Sequence, residues 1–97
     1  MGTKKTYKQS EASFRQDIVH LCHYHHAMVA RFSTPNWPDF MITPKNKKIF
    51  FIETKKSSTG YGLTEGQEAV IELLRSRGHE VLVLIPSQLD SIENYII

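Results

Sequence analysis

Two acidic residues and a lysine are spaced in this chain as a hydrolytic metal site requires. Asp39 follows a proline, and fourteen residues later the chain reads Glu53-Thr54-Lys55. Carboxylates are oxygen ligands for divalent cations such as Mg²⁺. An ammonium group beside them stabilises the negative charge that develops on a phosphate during hydrolysis. The three side chains therefore suit metal-assisted cleavage of a phosphate ester, provided that the fold brings them together.

The segment between these residues predicts a β-hairpin that places the two acids opposite each other. Two apolar, strand-like runs flank a lysine-rich link that contains Pro44 and Asn46, residue types typical of a chain reversal. If the hairpin pivots about Asn46, Asp39 faces Glu53, and Lys55 shares their side of the strand because side chains alternate. Directly opposed carboxylates lie roughly 5 Å apart at Cβ and repel each other. Such a pair predicts a cation between them.

Two further polar residues stand where a helix could turn them towards the same place. Glu11 precedes Phe14 by three residues, so it lies at the N-terminal end of an apolar helix stripe. It either points towards the sheet or is an ordinary first-turn acid favoured by the helix dipole. Gln67 is the third residue after Thr64, as in a capping box. Its amide either closes that box or faces inward along the helix, and the spacing leaves both alternatives open.

The elements that must position these residues follow from the hydrophobic periodicity. It predicts a helix over about 10–25, strands over 27–32, 40–42 and 49–52, a helix over 64–77, a strand over 81–85 and a short helix over about 87–95. Ser10, Thr64 and Ser87 are the expected N-caps, and Gly78 the expected stop of the second long helix. This order, α-β-β-β-α-β with a short C-terminal helix, predicts an α/β domain with a central mixed sheet flanked by helices.

Each of the two long predicted helices has one apolar stripe that we expect to be buried. The stripes are Phe14, Ile18, Leu21, Cys22 and His25 in the first helix, and Val70, Leu73 and Leu74 in the second.

Size and composition describe a small, ordinary globular chain. Its 97 residues make one domain, with 40% hydrophobic residues, 23% charged residues and a net charge of +2. The single cysteine, Cys22, excludes an internal disulfide and fits a reducing compartment, so we expect a cytoplasmic protein. No apolar run approaches the roughly 18 residues that a membrane span needs, and we expect no membrane partner.

The basic residues are clustered rather than spread evenly. The clusters are Lys4, Lys5 and Lys8; Lys45, Lys47 and Lys48; Lys55 and Lys56; and Arg75 and Arg77. Such clusters either follow a phosphate backbone or serve as solubilising surface.

A second group of candidate ligands is the run His20, Cys22, His23, His25 and His26. His23 and His26 could share a helix face, but a structural zinc site needs four ligands, usually in two separated pairs. The spacing therefore disfavours zinc. The alternative is a polar helix end near DNA or near a subunit interface.

Four segments together resemble the VRR-NUC branch of the PD-(D/E)XK nucleases. They are Pro38-Asp39, Glu53-Thr54-Lys55, Leu63-Thr64-Glu65-Gly66-Gln67 and Arg77-Gly78-His79-Glu80-Val81, and the resemblance extends over about residues 11–90. It implies a restriction-endonuclease-like core and a single nuclease domain over residues 1–97, of minimal stand-alone bacterial or phage type.

The resemblance also implies roles for individual residues. The active site would consist of Glu11, Asp39, Glu53, Lys55 and Gln67. Asp39, Glu53 and the backbone carbonyl of Thr54 would hold Mg²⁺ or Mn²⁺, with Glu11 as a further acidic contributor. Lys55 would help to activate the attacking water, and Gln67 would orient Lys55 or a water at the metal.

The substrate expected from the resemblance is DNA. The implied activity is a structure-selective endonuclease that hydrolyses phosphodiester bonds, acting as a homodimer on branched DNA such as Holliday-like four-way junctions. Flap, nick or end processing is an alternative within the same enzyme class. A catalytically silent DNA-binding module of the same fold is an alternative outside it.

Three features of the chain need a separate explanation. Where the family usually has Gly two residues before the proline, this chain has Asn36, which also tolerates a left-handed turn. Trp37 beside it either packs on the sheet or stacks against a base. The apolar ending Tyr95-Ile96-Ile97 either serves the dimer or closes the core of the monomer.

Overall fold

The computed structural model of the protein describes residues 11–56 and 62–97. The expected N-cap Ser10, the first lysine cluster and residues 57–61 lie outside the described residues. Within the described part, no helix has both the length and the apolar character that crossing a membrane requires.

The predicted order of elements is confirmed. The structure contains helix α1 (Glu11–Tyr24), strands β1 (Met28–Arg31), β2 (Phe40–Thr43) and β3 (Phe50–Thr54), helix α2 (Glu65–Ser76), strand β4 (Glu80–Leu84), a 3-10 helix (Pro86–Ile92) and the short helix α3 (Glu93–Ile96).

The four strands form one mixed sheet in the order β1-β2-β3-β4. β1 pairs with β2 and β2 with β3 in antiparallel fashion, whereas β3 and β4 are parallel. Parallel neighbours need a crossover connection, and α2 lies in it. Phe40 pairs with Ile52 and Ile42 with Phe50, which confirms the hairpin register about Asn46.

Each face of the sheet has its own core: α1 and the C-terminal helices cover one face, and α2 covers the other. On the α1 side, Phe14, Ile18 and Cys22 pack against alternate residues of the strands, among them Ile42 and Ile52. On the α2 side, the buried cluster is Phe51, Ile71 and Val81. Because side chains alternate, odd-numbered residues of β3 face α2, and this is the face on which Glu53 lies.

Several boundaries differ from the predicted ones for local reasons. α1 ends at Tyr24 because His26 is left-handed, with φ 65°, and the N–H of Ala27 donates to the carbonyl of Cys22, as in a Schellman ending. β3 continues to Thr54 because the parallel pairing with β4 extends to Thr54 and Leu84. The predicted strand over 49–52 therefore stopped too early.

The predicted buried stripe of α2 was partly wrong. Leu73 is 51% exposed, whereas Ile71, which was not in the stripe, is 3% exposed. The inward face is formed by Gln67, Ile71 and Leu74, spaced i, i+4 and i+7. The helix is thus rotated so that an amide takes a place on its inner face.

The C-terminal helix starts one residue earlier than predicted, and Ser87 is not its cap. Ile85 is the N-cap residue, Pro86 occupies the first position of the 3-10 helix, and Gln88 Oε1 accepts from the N–H of Ile85 at 3.0 Å. Ile96 is buried in the α1-side core, so at least this residue of the apolar ending closes the monomer.

Candidate active site

Glu53 is the buried centre of a polar cluster at the carboxyl end of β3. Its side chain is 5% exposed. Lys55 Nζ lies 3.5 Å from Glu53 Oε2, and Gln67 Nε2 donates to the same oxygen at 3.2 Å. The alternation that places Phe51 in the α2-side core also turns Glu53 and Lys55 towards α2.

Gln67 satisfies both of the alternatives that its spacing left open. Its backbone N–H donates to Thr64 Oγ1 at 3.1 Å, and its Oε1 accepts from the N–H of Thr64 at 3.0 Å, which completes the predicted capping box. The same Oε1 accepts from Lys55 Nζ at 3.4 Å. Its Nε2 is then directed at Glu53. One amide thus begins α2 and joins the helix to the polar cluster.

Asp39 is held beside Glu53 by the residue that follows Glu53. Thr54 donates twice to Asp39 Oδ2, from its backbone N–H at 2.8 Å and from its hydroxyl at 2.6 Å. Asp39 immediately precedes the Phe40–Ile52 pair of the ladder, so continuing the register places it opposite Glu53, as the hairpin pattern predicted.

The loop before Asp39 is held against the first turn of α2. Asn36 is left-handed, with φ 71°, as expected for a residue in the usual place of a glycine. A Cβ on Gly66 would lie 2.6 Å from Asn36 Oδ1, which is closer than non-bonded atoms can approach. Gly66 therefore permits the contact between this loop and α2.

The environment of Glu53 disfavours its charged form. Burial raises the pKa of Glu53 from its ordinary 4.5 to about 7. The negative charges of Asp39 and Glu11 act in the same direction, and Lys55 opposes them through its charge and its hydrogen bond. A buried acid beside a second acid is the electrostatic situation that a bound cation relieves.

Glu11 lies at the margin of the cluster rather than at its centre. Arg15, one turn further along α1, places its guanidinium 4.0 Å from Glu11 Oε2 and 4.0 Å from Asp39 Oδ2. The two acids are thus linked through a cation of the protein itself. Arg15 was not among the predicted site residues, although its i, i+4 spacing from Glu11 was a usable signal.

The donors available to a metal are the carboxylates of Asp39 and Glu53. In the described part of the chain, no three His, Cys, Asp or Glu side chains are grouped closely enough to hold one ion. Glu11 is therefore not grouped with Asp39 and Glu53 as a third ligand, and its contribution to a metal site stays a prediction. The contacts from Thr54 fall on Oδ2 of Asp39, and those from Lys55 and Gln67 fall on Oε2 of Glu53. These contacts do not involve Oδ1 of Asp39 or Oε1 of Glu53, which are the oxygens that a metal ion could take.

Trp37 packs on the sheet and also remains accessible. Its ring lies edge-on to Phe32 at 5.9 Å and to Phe51 at 6.4 Å between centroids. It is 39% exposed, so part of the indole faces solvent near the polar cluster.

The residues of the histidine cluster point in different directions. Cys22 lies inside the α1-side core, and burial raises the pKa of its thiol to about 11. His20 is on an exposed helix face, where it contacts Gln16 at 3.0 Å. His25 lies 3.5 Å from Glu93. One side chain is thus in the core, one is on an exposed helix face and one is beside Glu93. Among the described residues, they do not come together as ligands of one metal ion.

No protein-family model and no curated protein sequence matches the chain. A solved structure described as a VRR_NUC domain is similar to it, with a TM-score of 0.74 over 90% of this chain and 97% of that one, at 21% sequence identity. A likeness at this identity concerns the fold. The mixed four-stranded sheet with its flanking helices is the VRR-NUC fold, as the sequence resemblance predicted.

Proposed function

We propose that this protein is a metal-dependent endonuclease that hydrolyses phosphodiester bonds in branched DNA as a homodimer. The observation that carries the proposal is the convergence of Lys55 Nζ and the Gln67 amide on one oxygen of the buried Glu53, with Asp39 alongside. A fold gains little stability from burying one acid next to another. The arrangement is therefore better explained by a reaction than by structure.

The donor set fits Mg²⁺ or Mn²⁺, because hard divalent cations take carboxylate and carbonyl oxygens. Asp39, Glu53 and the backbone carbonyl of Thr54 would hold the ion, with Glu11 contributing a further negative charge. When bound, such an ion supplies charge neutralisation at the phosphate and activation of the attacking water.

Lys55 acts on the phosphate side of the reaction. Its ammonium is held by Gln67 Oε1 at 3.4 Å and by the carbonyl of Gly62 at 3.4 Å. A cation positioned in advance costs no reorganisation when negative charge develops on the phosphate oxygens. Gln67 is the positioning residue, since it orients both Lys55 and Glu53.

Branched DNA and the dimer rest on the family resemblance alone. The fold likeness to a VRR_NUC domain supports the coarser proposal of a nuclease-type domain. Tyr24 and Ile97 are both exposed and line one depression of about 630 Å³. Its lining also includes His25, Lys45 and Lys47, so the surface is mixed apolar and basic. Tyr24 and Ile97 are its exposed apolar contacts for a second copy, which a domain of this small size would use to bury more surface.

The test is cleavage of labelled four-way junction, flap, nicked and linear DNA with Mg²⁺ and with EDTA. Asp39→Asn and Lys55→Ala should each abolish Mg²⁺-dependent cleavage. Asn keeps an oxygen that can accept from Thr54, so Asp39→Asn should retain the fold. Arg77→Ala, an exposed cation after the last turn of α2, is the matched control and should cleave normally. Undiminished cleavage by both active-site variants would overturn the proposal.

The same panel separates the alternatives. Preferred cleavage of flaps, nicks or ends would replace branched DNA as the substrate. Saturable DNA binding with no product at any Mg²⁺ or Mn²⁺ concentration would indicate a silent binding module. Sedimentation of the wild type and of Ile97→Asp tests the dimer, because a charge in an apolar contact should favour the monomer.

A further inference from the structure

Apart from the cluster around Glu53, a basic region lies at the opposite end of the sheet. It is a cavity of about 700 Å³ whose lining includes Lys47, Lys48 and Arg75. The cavity lies at the edge where the parallel strands β3 and β4 begin. Phe50, also in its lining, is three residues from Glu53, which corresponds to about 10 Å at roughly 3.3 Å per residue.

Positive charge predominates in this lining. Lys47 and Lys48 come from the β2–β3 turn and Arg75 from the last turn of α2, while Glu80 is the acidic side chain among the described lining residues. Arg75 donates to the carbonyl of Val81 at 2.6 Å, so its guanidinium is fixed at the edge of the cavity. A fixed cation beside two exposed lysines suits a polyanion rather than a single small anion.

Part of the remaining wall is apolar or aromatic, beside the polar His79 and Asn94. Tyr95 lies 5.4 Å from the ring of Phe50, and Ile49 is 39% exposed. A deoxyribose-phosphate chain has both characters, with charged phosphates and apolar sugar faces. The cavity volume is also within the roughly 300–1,000 Å³ range of ligand sites.

We infer that this cavity is an accessory site for the phosphodiester backbone of the DNA substrate, a few nucleotides from the cleaved bond. The inference rests on the proposed function and adds a second contact with the same molecule. The cations lie at or beyond Phe50, roughly 10–15 Å from Glu53. Phosphates of one strand are spaced by about 3.4 Å along the duplex axis, so the contact falls about three to five nucleotides from the reacting phosphate.

The test compares two variants that lose the same charge. Lys47→Gln/Lys48→Gln removes two cations from the cavity, and Arg31→Gln/Arg77→Gln removes two exposed cations that are not in its lining. Arg75 is left unchanged because it supports β4. DNA affinity is measured in EDTA, which prevents metal-dependent cleavage, at several salt concentrations.

The cavity variant should bind about ten-fold more weakly at low salt and lose about 0.9 from the logarithmic salt slope for each phosphate contact removed. The control should lose less in both quantities. Equal effects of the two variants would overturn the inference, since only general charge would then matter. Loss of a dimer in sedimentation, with DNA affinity kept, would also overturn it and identify a subunit contact.

Neutral methylphosphonate linkages locate the contact. Placed three to five linkages from the cleaved bond, on either side, they should weaken binding by the wild type but not weaken the cavity variant any further. Independent, additive losses would contradict direct contact. If the wild type cleaves no DNA at all, the proposed function fails; if it cleaves while the cavity variant equals the control, only the accessory site fails.

Discussion

The burial of Glu53 predicts that stability falls with rising pH and that Glu53→Gln removes this fall. The unfolded chain releases the proton of this acid near pH 4.5, whereas the native chain holds it to about pH 7. The native state therefore binds more protons in that window, and the free energy of unfolding decreases as the pH rises through it. The stability that the proton on Glu53 contributes is therefore complete below pH 4.5 and lost above about pH 7.

The magnitude follows from the separation of the two pKa values. From 4.5 to about 7 is a gap of about 2.5 pH units, and each unit corresponds to about 1.4 kcal/mol. The full effect is thus about 3 kcal/mol, most of it between pH 5 and pH 8. A domain of this size would register it as a change of about 10 °C or more in Tm.

Glu53→Gln keeps the shape of the side chain and an oxygen for Lys55 and Gln67, but it does not ionise. In urea unfolding followed by circular dichroism in EDTA, the variant should gain about 2–3 kcal/mol on the wild type between pH 5 and pH 8. Glu72→Gln, on the exposed side of α2, is the matched control and should follow the wild type. A constant difference between wild type and Glu53→Gln across this range would refute the reasoning.

Three further substitutions test the contacts around the cluster. Gln67→Ala should cost about 1 kcal/mol of stability by opening the capping box with Thr64 and should also slow cleavage. Gln67→Glu keeps the acceptor for Thr64 but replaces the donor to Glu53 by a second carboxylate, so it should slow cleavage and lose stability at neutral pH; unchanged rates in both would contradict the positioning role. Arg15→Gln should bind Mg²⁺ more tightly in calorimetry, because a competing cation is removed, with less than about 1 kcal/mol change in stability; weaker binding would be the contrary result. Gly66→Ala should leave the stability within about 1 kcal/mol of the wild type in urea unfolding, because its Cβ would meet only the end of the exposed Asn36 side chain, which can move aside, and because Ala favours a helix over Gly; a loss above about 2 kcal/mol would mean that Asn36 is held in place.

The parts of the fold that depend on local chemistry were predictable from the sequence. Pro44 and Asn46 in the link, with apolar runs on both sides, predicted the hairpin and its register. A slip of one residue would exchange the β3 residues that face α1 with those that face α2. The capping residues of α2 predicted its start correctly.

The predictions that failed concern which face of α2 is buried and where the last helix begins. Leu73 fits an apolar stripe as well as Ile71 does, and only the position of the sheet decides which of them is buried. Ser87 is a good capping residue, but Pro86 starts the helix one position earlier. The first of these depends on contacts distant in sequence, whereas the second was a local signal that the sequence already contained in Pro86 and Gln88.

The candidate site divides in the same way. The sequence by itself determined that Asp39 and Glu53 oppose each other and that Lys55 shares their face, because hairpin register and strand alternation follow from short-range geometry. Only the tertiary structure decided that Gln67 joins α2 to Glu53, that Arg15 lies between Glu11 and Asp39, and that Glu53 is buried enough to hold its proton to about pH 7. Desolvation and pairing depend on the elements that pack around a residue, and these elements come from distant parts of the chain.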